Sequence, residues 1–423
     1  MKARTGPAPQ MMRSPHRSST TEQTDAFTQP TIEARVPPPS LAPAQQQRRR
    51  LMKVVSVMTS GVCGGGEFAA VNMLEALSAR GHQTVMLTDQ LEVAARRKVE
   101  AREIDLGPKL SRSSYRVLLA RSPLLLARLR SELEREWPYD VLLVHYKKEE
   151  LLASCLPRRL RAVLAWAEWG PVPSEMRTGA GRRAYLAAAR RAELVMAVSE
   201  ATRDSLGRVG VPAERIHVVP NALRVDDLRF SAAGRDRVRR EHGIPRDVPV
   251  VGCISRFHPK KRNDVVVDAV VQLGRDDVHL VMAGEGDTEA DLRRRARPLG
   301  ERAHFLPAPG MDLANVCSTF DVSVFCPSPT EGAPLAVIHA MLTGRPCVAT
   351  ASEGVDGLIV PGGGTVVSPE HDAAAVAAVL REYVDDGPRR AREGAVARSI
   401  AEQLCAAPAV AARVERLLLS ARR

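Results

Sequence analysis

Aromatic side chains are scarce, 4% of the 423 residues, and the arginines are dispersed rather than striped along one element. Zinc-finger spacing is also missing, so nucleic acid is the weakest of the partners that a formal charge of +12 would attract. Phosphorylated substrates and anionic lipid surfaces remain. Apolar runs stay short of the roughly 18 residues of a membrane-crossing helix. Cysteine is limited to seven residues, an odd number without metal-type spacing, and Cys63, Cys155, Cys253, Cys317 and Cys326 mostly stand beside apolar runs. Such usage implies reduced, packed thiols in a cytosolic setting. The glycine-rich stretches lack both G-x-G-x-x-G and the GK[ST] ending of a P-loop, which disfavours dinucleotide binding and ATP hydrolysis.

The first fifty residues hold PPP and QQQRRR runs, many Ser and Thr, and no sustained apolar period or secretory core. They read as a disordered tail, or as sequence upstream of a true start at Met52 (MKVVSVMTSG). Either way they stand apart from the fold.

From residue 52 the pattern is α/β. Short runs rich in β-branched residues, KVVSVMTS (53–60), HQTVMLTD (82–89), YDVLLVHY (139–146), RAVLAWAE (161–168) and LVMAVSE (194–200), alternate with longer amphipathic ones. Their apolar residues are consecutive rather than alternating, as a parallel sheet covered on both faces requires. The spacing of Phe68, Val71, Leu74 and Leu77 predicts a helix from Glu67 to near Gly81. The rhythm pauses over 220–247 and resumes with VPVVGCIS (248–255), DVHLVMAG (277–284), FDVSVFCPS (320–328), RPCVATAS (345–352) and DGLIVPG (356–362). Two domains follow, 51–225 and 226–423, with the final helix available to pack back on the first. In such sheets ligands collect beyond the carboxyl ends of the strands.

Three stretches suit an anionic ligand. CISRFHPKKRND (253–264) sets Arg256 just beyond a strand, with Lys260, Lys261 and Arg262 at the next helix start. A rigid guanidinium fork and a mobile ammonium together match a diphosphate; a solvated basic turn is the plainer alternative. SPTEGAPLAVIHAM (328–341) follows a strand with Gly332, Ala333, Pro334 and Leu335 at a helix start, whose free N–H groups favour an anion. Glu331 beside it is either a first-turn acid or an acceptor for sugar hydroxyls. GVCGGGE (61–67) offers backbone N–H groups at Gly65 and Gly66, and AGEGD (283–287), with Gly284 and Gly286, is a strand-end turn.

In this order these pieces resemble the retaining GT-B glycosyltransferases of family 4, over most of residues 53 to 370. The resemblance implies two Rossmann-like domains facing across a deep cleft. A nucleoside diphosphate sugar would be held mainly by the second domain and a hydroxyl acceptor mainly by the first, with no essential metal. It assigns Arg256 and Lys261 to the diphosphate, Glu331 to the donor sugar, and Gly65, Gly66, Gly284, Gly286, Gly332, Ala333, Pro334 and Leu335 to the donor cradle. Departures are visible: His339 stands where the family's second E-x7-E acid would be, so it is either a ribose acceptor or a packed helix residue. Trp166 and Trp169 stand near the family's first-domain histidine, leaving His145, Glu168 and Trp169 as acceptor-side candidates. Asn221-Ala222 replaces the usual Asn-Gly.

The implied reaction is glycosyl transfer with retention, the departing phosphate taking the acceptor's proton. These departures also leave room for an impaired relative that binds a sugar nucleotide or a partner. SRSSYRVLLARSPLLLARLRSELERE (111–136) mixes leucines with arginines. It reads either as a helix packed on its sheet or as a basic apolar surface for an anionic membrane and a lipid-linked acceptor. Pro123 argues against one long helix there.

Overall fold

The computed structural model describes residues 51–422 apart from 62–63, 112, 309–311, 330–331, 356 and 369–372. The tail read as disordered, residues 1–50, thus lies outside the described residues. Residues from 50 onward cohere as a single unit.

Seven parallel strands build the first sheet: β1 Lys53–Met58, β2 Gln83–Thr88, β3 Glu100–Glu103, β4 Val141–Val144, β5 Val163–Glu168, β6 Leu194–Ala197 and β7 Ile216–Val218. Six build the second: β8 Val250–Ile254, β9 His279–Ala283, β10 Ala303–Leu306, β11 Val322–Phe325, β12 Cys347–Thr350 and β13 Gly364–Val367. Their orders are β3-β2-β1-β4-β5-β6-β7 and β10-β9-β8-β11-β12-β13, all pairs parallel.

The consecutive apolar residues are explained by apolar packing on both faces of each sheet. Val55 and Val57 join Leu142, Val144 and Trp166 on one face of the first sheet; Val54 and Met58 join Leu143 and Ala165 on the other. Every second residue points to the opposite face and both faces are dry, so alternation with polar residues is lost. β3, β7 and β10 are not legible in the sequence, being three or four residues long and only partly buried at sheet edges. The strand expected at 356–362 forms instead at Gly364–Val367, because Gly357–Gly363 turn back before the chain pairs with β12.

The helix expected from Glu67 begins two residues earlier, at Gly65, and ends at Ser78. The final helix, Ala407–Ala421, buries Val410, Val414 and Leu418 in the core beside it, and Arg80 Nε donates to Glu415 at 2.7 Å. The two passages between the sheets are stitched to each other: Leu223 N donates to Cys405 O at 2.7 Å and Ala407 N to Leu223 O at 2.9 Å.

Pro123 does not interrupt the helix that holds it, which runs unbroken from Tyr115 to Glu136. A proline lacks the N–H that would bond the carbonyl four residues back. Ser122 Oγ donates to that carbonyl, Leu119 O, at 2.7 Å and replaces the missing bond. Leu118, Leu125, Leu129 and Leu133 pack on the sheet, as the first reading of this segment required. Ser122→Ala should therefore cost about 1 kcal/mol in urea unfolding. Combining Ser122→Ala with Pro123→Ala should recover most of that loss, since replacing the proline restores the N–H. Equal stability of S122A and the parent chain would refute the substitution of hydroxyl for amide.

Candidate active site

Strand order reverses between β1 and β4 and again between β8 and β11. At such switch points the loops leaving adjacent strands diverge and open a crevice. Beyond the carboxyl ends of those four strands lie 59–61, 64–66, 145–146, 255–262, 326–329 and 332–334, which contain most of the motif residues among the described ones.

In the second domain the backbone after β8 is held by the turn after β9. Ser255 N donates to Ala283 O at 3.1 Å, Phe257 N to Glu285 O at 2.8 Å, and Thr288 N to Phe257 O at 3.1 Å. A Cβ on Gly284 would lie 1.9 Å from Ser255 O, and one on Gly286 2.3 Å from Phe257 O. The glycines of AGEGD thus let one backbone rest on another, and what that contact supports is Arg256. Asn263 Nδ2 bonds Arg256 O at 3.1 Å, fixing the same segment from the other side. The Arg256 side chain is exposed and forms no ion pair among the described residues. Lys261 Nζ lies 5.3 Å from the ring centre of Phe325, at the end of β11. Ser328 N donates to Lys260 O at 2.8 Å, so the basic turn and the loop after β11 form one surface.

That loop leads to the helix Leu335–Leu342, whose N-cap is Pro334; among the described residues no side chain caps it, and its first turn holds no acid. Its first N–H groups remain available to an anion. Glu331 lies outside the described residues, three positions before the cap.

In the first domain, Gly64 N donates to Glu67 Oε2 at 2.9 Å and closes the helix start. Glu67 is buried, bonded to the Tyr146 hydroxyl and paired with Lys109 Nζ at 3.0 Å. Burial alone would raise its pKa, but the Lys109 charge and the Tyr146 bond outweigh burial and hold it below the usual carboxylate range. A Cβ on Gly66 would meet the Tyr146 hydroxyl at 2.9 Å and Trp169 Cδ1 at 3.5 Å.

His145 is buried, its Nε2 2.7 Å from Ser56 Oγ and its ring stacked on Trp169 at 5.7 Å and 4°. Burial pushes its pKa down to about 3, so the ring is neutral. His145 Nδ1 and Trp169 Nε1 have no hydrogen-bond partner among the described residues. Glu168 points away into a buried cluster, accepting from Tyr185 OH at 2.5 Å and from Lys147 Nζ. Lys147 also reaches Glu150 at 3.3 Å; burial, with the Glu168 charge, drives the Glu150 pKa well above normal. Trp166, on the same strand as Glu168, is wholly buried.

The halves touch through glycine. A Cβ on Gly332 would stand 2.3 Å from Trp169 O and 2.7 Å from Gly170 Cα, and one on Gly65 3.4 Å from Leu335 Cδ1. Arg208 of the first domain pairs with Glu353 of the second at 3.5 Å. His339, one turn beyond Leu335, is pushed down to about 4 by burial and by the charge of Arg97 in the first domain. Ala333 and Pro334 lie between these contacts.

Residues 63–227 match the description Glycosyltransferase Family 4, and residues 248–386 match Glycosyl transferases group 1. The chain belongs to the family 4 glycosyltransferases. This family member is similar to the GDP-mannose-dependent monoacylated alpha-(1-6)-phosphatidylinositol monomannoside mannosyltransferase of Corynebacterium glutamicum, 31% identical over 42% of this chain and 50% of that protein. The D-inositol 3-phosphate glycosyltransferase of Xylanimonas cellulosilytica is 29% identical over 64% of this chain and 70% of that protein. The matched stretch thus spans half to about two thirds of these relatives. Anabaena HepE in complex with UDP-glucose superposes with a TM-score of 0.75, at 21% identity over 87% of this chain and 100% of that one. That likeness establishes the GT-B fold.

Within the family frame, Glu67, Tyr146, Lys109 and Asn263 are positions that sequence reasoning missed. Glu67 carried a signal, since an acid at the third position of a glycine-started helix is half of a capping box. Lys109 carried none, because only the fold brings its loop to Glu67. Gly332→Ala tests the inter-domain contact: with no room for the added carbon, the domains must separate, and kcat/KM for any donor should fall at least about tenfold. The melting temperature should change little, as the strain falls between domains rather than within a core. Full activity in G332A would overturn the closed contact.

Proposed function

We propose that this family 4 chain transfers a glycosyl group from a nucleoside diphosphate sugar to a hydroxyl acceptor, with retention. What supports this reading is that Arg256 and Lys261 follow the carboxyl end of β8 and the helix start at Pro334 follows that of β11, with Gly65 of the first domain against Leu335. Charge develops on the leaving diphosphate as the glycosidic bond breaks. Preoriented cations and N–H groups stabilise that charge without a resident metal. The departing phosphate oxygen takes the acceptor proton. His145 and His339, both neutral, offer hydrogen bonds rather than charge. His339 serves the nucleoside side, and the Trp169 face, stacked on His145, flanks the sugar.

The acceptor we favour is lipid-linked, met at the cytoplasmic face of a membrane. No helix among the described residues is long and apolar enough to cross a bilayer. The helix Tyr115–Glu136, however, leaves apolar residues exposed on two sides that the sheet does not cover, Tyr115 and Leu119 on one and Val117 and Leu124 on the other. Tyr115, Val117, Leu119 and Leu124 are 46%, 53%, 71% and 57% exposed, among Arg116 and Arg121. Apolar side chains flanked by arginines match the boundary of an anionic leaflet. The name of the Corynebacterium relative includes phosphatidylinositol, which fits an acceptor of this type, whereas the inositol 3-phosphate in the name of the Xylanimonas relative carries no lipid.

Arg256→Ala/Lys261→Ala should lose at least about a hundredfold in affinity for UDP- or GDP-sugars, two charge-assisted contacts of roughly 1.5–3 kcal/mol each, with an unchanged circular dichroism spectrum. Unaltered affinity would remove the phosphate assignment. Leu119→Glu/Leu124→Glu should abolish co-sedimentation with phosphatidylglycerol vesicles while sparing transfer to a water-soluble acceptor. Persistent vesicle binding would place the lipid surface elsewhere.

A further inference from the structure

A cavity of about 620 Å³ opens at the other end of the second sheet, where β11 and β12 begin rather than where they end. Arg229, Arg345, Arg390 and Arg398 line it together with Phe230 and Asp321. The volume is that of a small-ligand site, and the wall is unusual for its charge.

Asp321 is already committed. Arg235 reaches it at 3.1 Å, Arg239 at 3.0 Å, and Val250 N donates to it at 2.8 Å. Arg229 pairs with Asp226, and Arg398 with Glu402 at 2.6 Å. Six arginines thus meet three carboxylates, which leaves three positive charges around one concavity. Arg345 and Arg390 form no ion pair among the described residues and are anchored on backbone carbonyls instead. Arg345 donates Nε to Thr343 O at 3.2 Å and Nη1 to Phe320 O at 3.1 Å; Arg390 donates Nη1 to Tyr383 O and, at 2.8 Å, to Val384 O.

These anchors explain how the side chains are held, and a guanidinium that spends two donors this way keeps three. They do not offset the repulsion between Arg345 and Arg390, whose charges no carboxylate pairs among the described residues. Burial lowers the Arg345 pKa to about 10, which still leaves it charged at neutral pH. Its guanidinium lies 4.7 Å from the Phe230 ring centre, and Phe230 is 45% exposed, so a flat apolar face stands beside the cations.

We propose that this cavity is a second anion site, separate from the cleft, that takes a group carrying two or more phosphate charges. Fixed guanidinium forks around a concavity fit tetrahedral oxyanions better than a single carboxylate, which would satisfy Arg345 or Arg390 and leave the other unpaired. The same chemistry arrives either as a free phosphorylated metabolite or as a phosphorylated lipid headgroup. The site stands independently of the donor reading, because none of its residues belongs to the cleft.

The test uses inorganic tripolyphosphate titrated calorimetrically into the full chain carrying Arg256→Ala/Lys261→Ala, so that the cleft does not contribute. Saturable binding is expected there. Adding Arg229→Gln/Arg345→Gln should weaken it at least about tenfold, the loss of two charge-assisted contacts. Absence of binding in the cleft variant, or affinity unchanged by the two glutamines, would overturn the proposal. Should R345Q fail to fold by circular dichroism, R229Q/R390Q carries the same expectation. Vesicles containing phosphatidylinositol phosphate separate the sources: co-sedimentation displaced by tripolyphosphate and lost in R229Q/R345Q identifies a headgroup. Tripolyphosphate binding without such co-sedimentation identifies a free metabolite.

Discussion

The carbonyl of Trp169 lies where a side chain at position 332 would have to begin, so the two domains meet backbone to backbone at the mouth of the cleft. That contact sets the depth of the crevice. It brings Gly65 against Leu335 and sets His339 within the field of Arg97, so that each wall of the site is completed by the opposite domain. The stitched passages at Leu223 and Cys405–Ala407 hold the other side of the junction, with the final helix returned to the first sheet.

Electrostatics divide the cleft cleanly. The second domain presents positive charge at Arg256 and Lys261, backed by a helix start, while the two histidines near the junction are held neutral by burial. In the first domain ionised groups are used in pairs: Glu67 with Lys109, Glu168 with Lys147. Pairing leaves these carboxylates no free charge with which to neutralise the cations of the other domain. It also explains why Glu168, conspicuous in sequence beside two tryptophans, faces Tyr185 and Lys147 rather than the crevice.

Much of this was legible from residue patterns. Runs of consecutive β-branched residues identified the central strands, since dryness on both faces leaves no room for polar alternation. The edge strands escaped notice because Glu100–Glu103 has no apolar residue except Ala101 and its pairing is supplied by β2 alone. Pro123 misled, because the rule that proline breaks helices assumes that nothing else reaches the orphaned carbonyl, and Ser122 does. The cation pair and the glycine loops could be recognised in order along the chain, whereas Lys109, Tyr146 and Asn263 carry no local mark of their use.

By itself the sequence determined the parallel α/β architecture and the succession of two sheets along the chain, because these depend on periodicity and on residue types close together in the chain. Tertiary structure alone decided which polar groups face the crevice and which are spent on one another. Glu168 and Trp169 are adjacent in sequence, yet one is ion-paired inside a buried cluster while the other stacks on His145 and supplies a carbonyl to the opposite domain. Direction and burial come from packing between segments far apart in sequence, and no local pattern encodes them. The arginine-lined cavity arises the same way, from four side chains spread between Arg229 and Arg398 that only the second sheet and its helices gather.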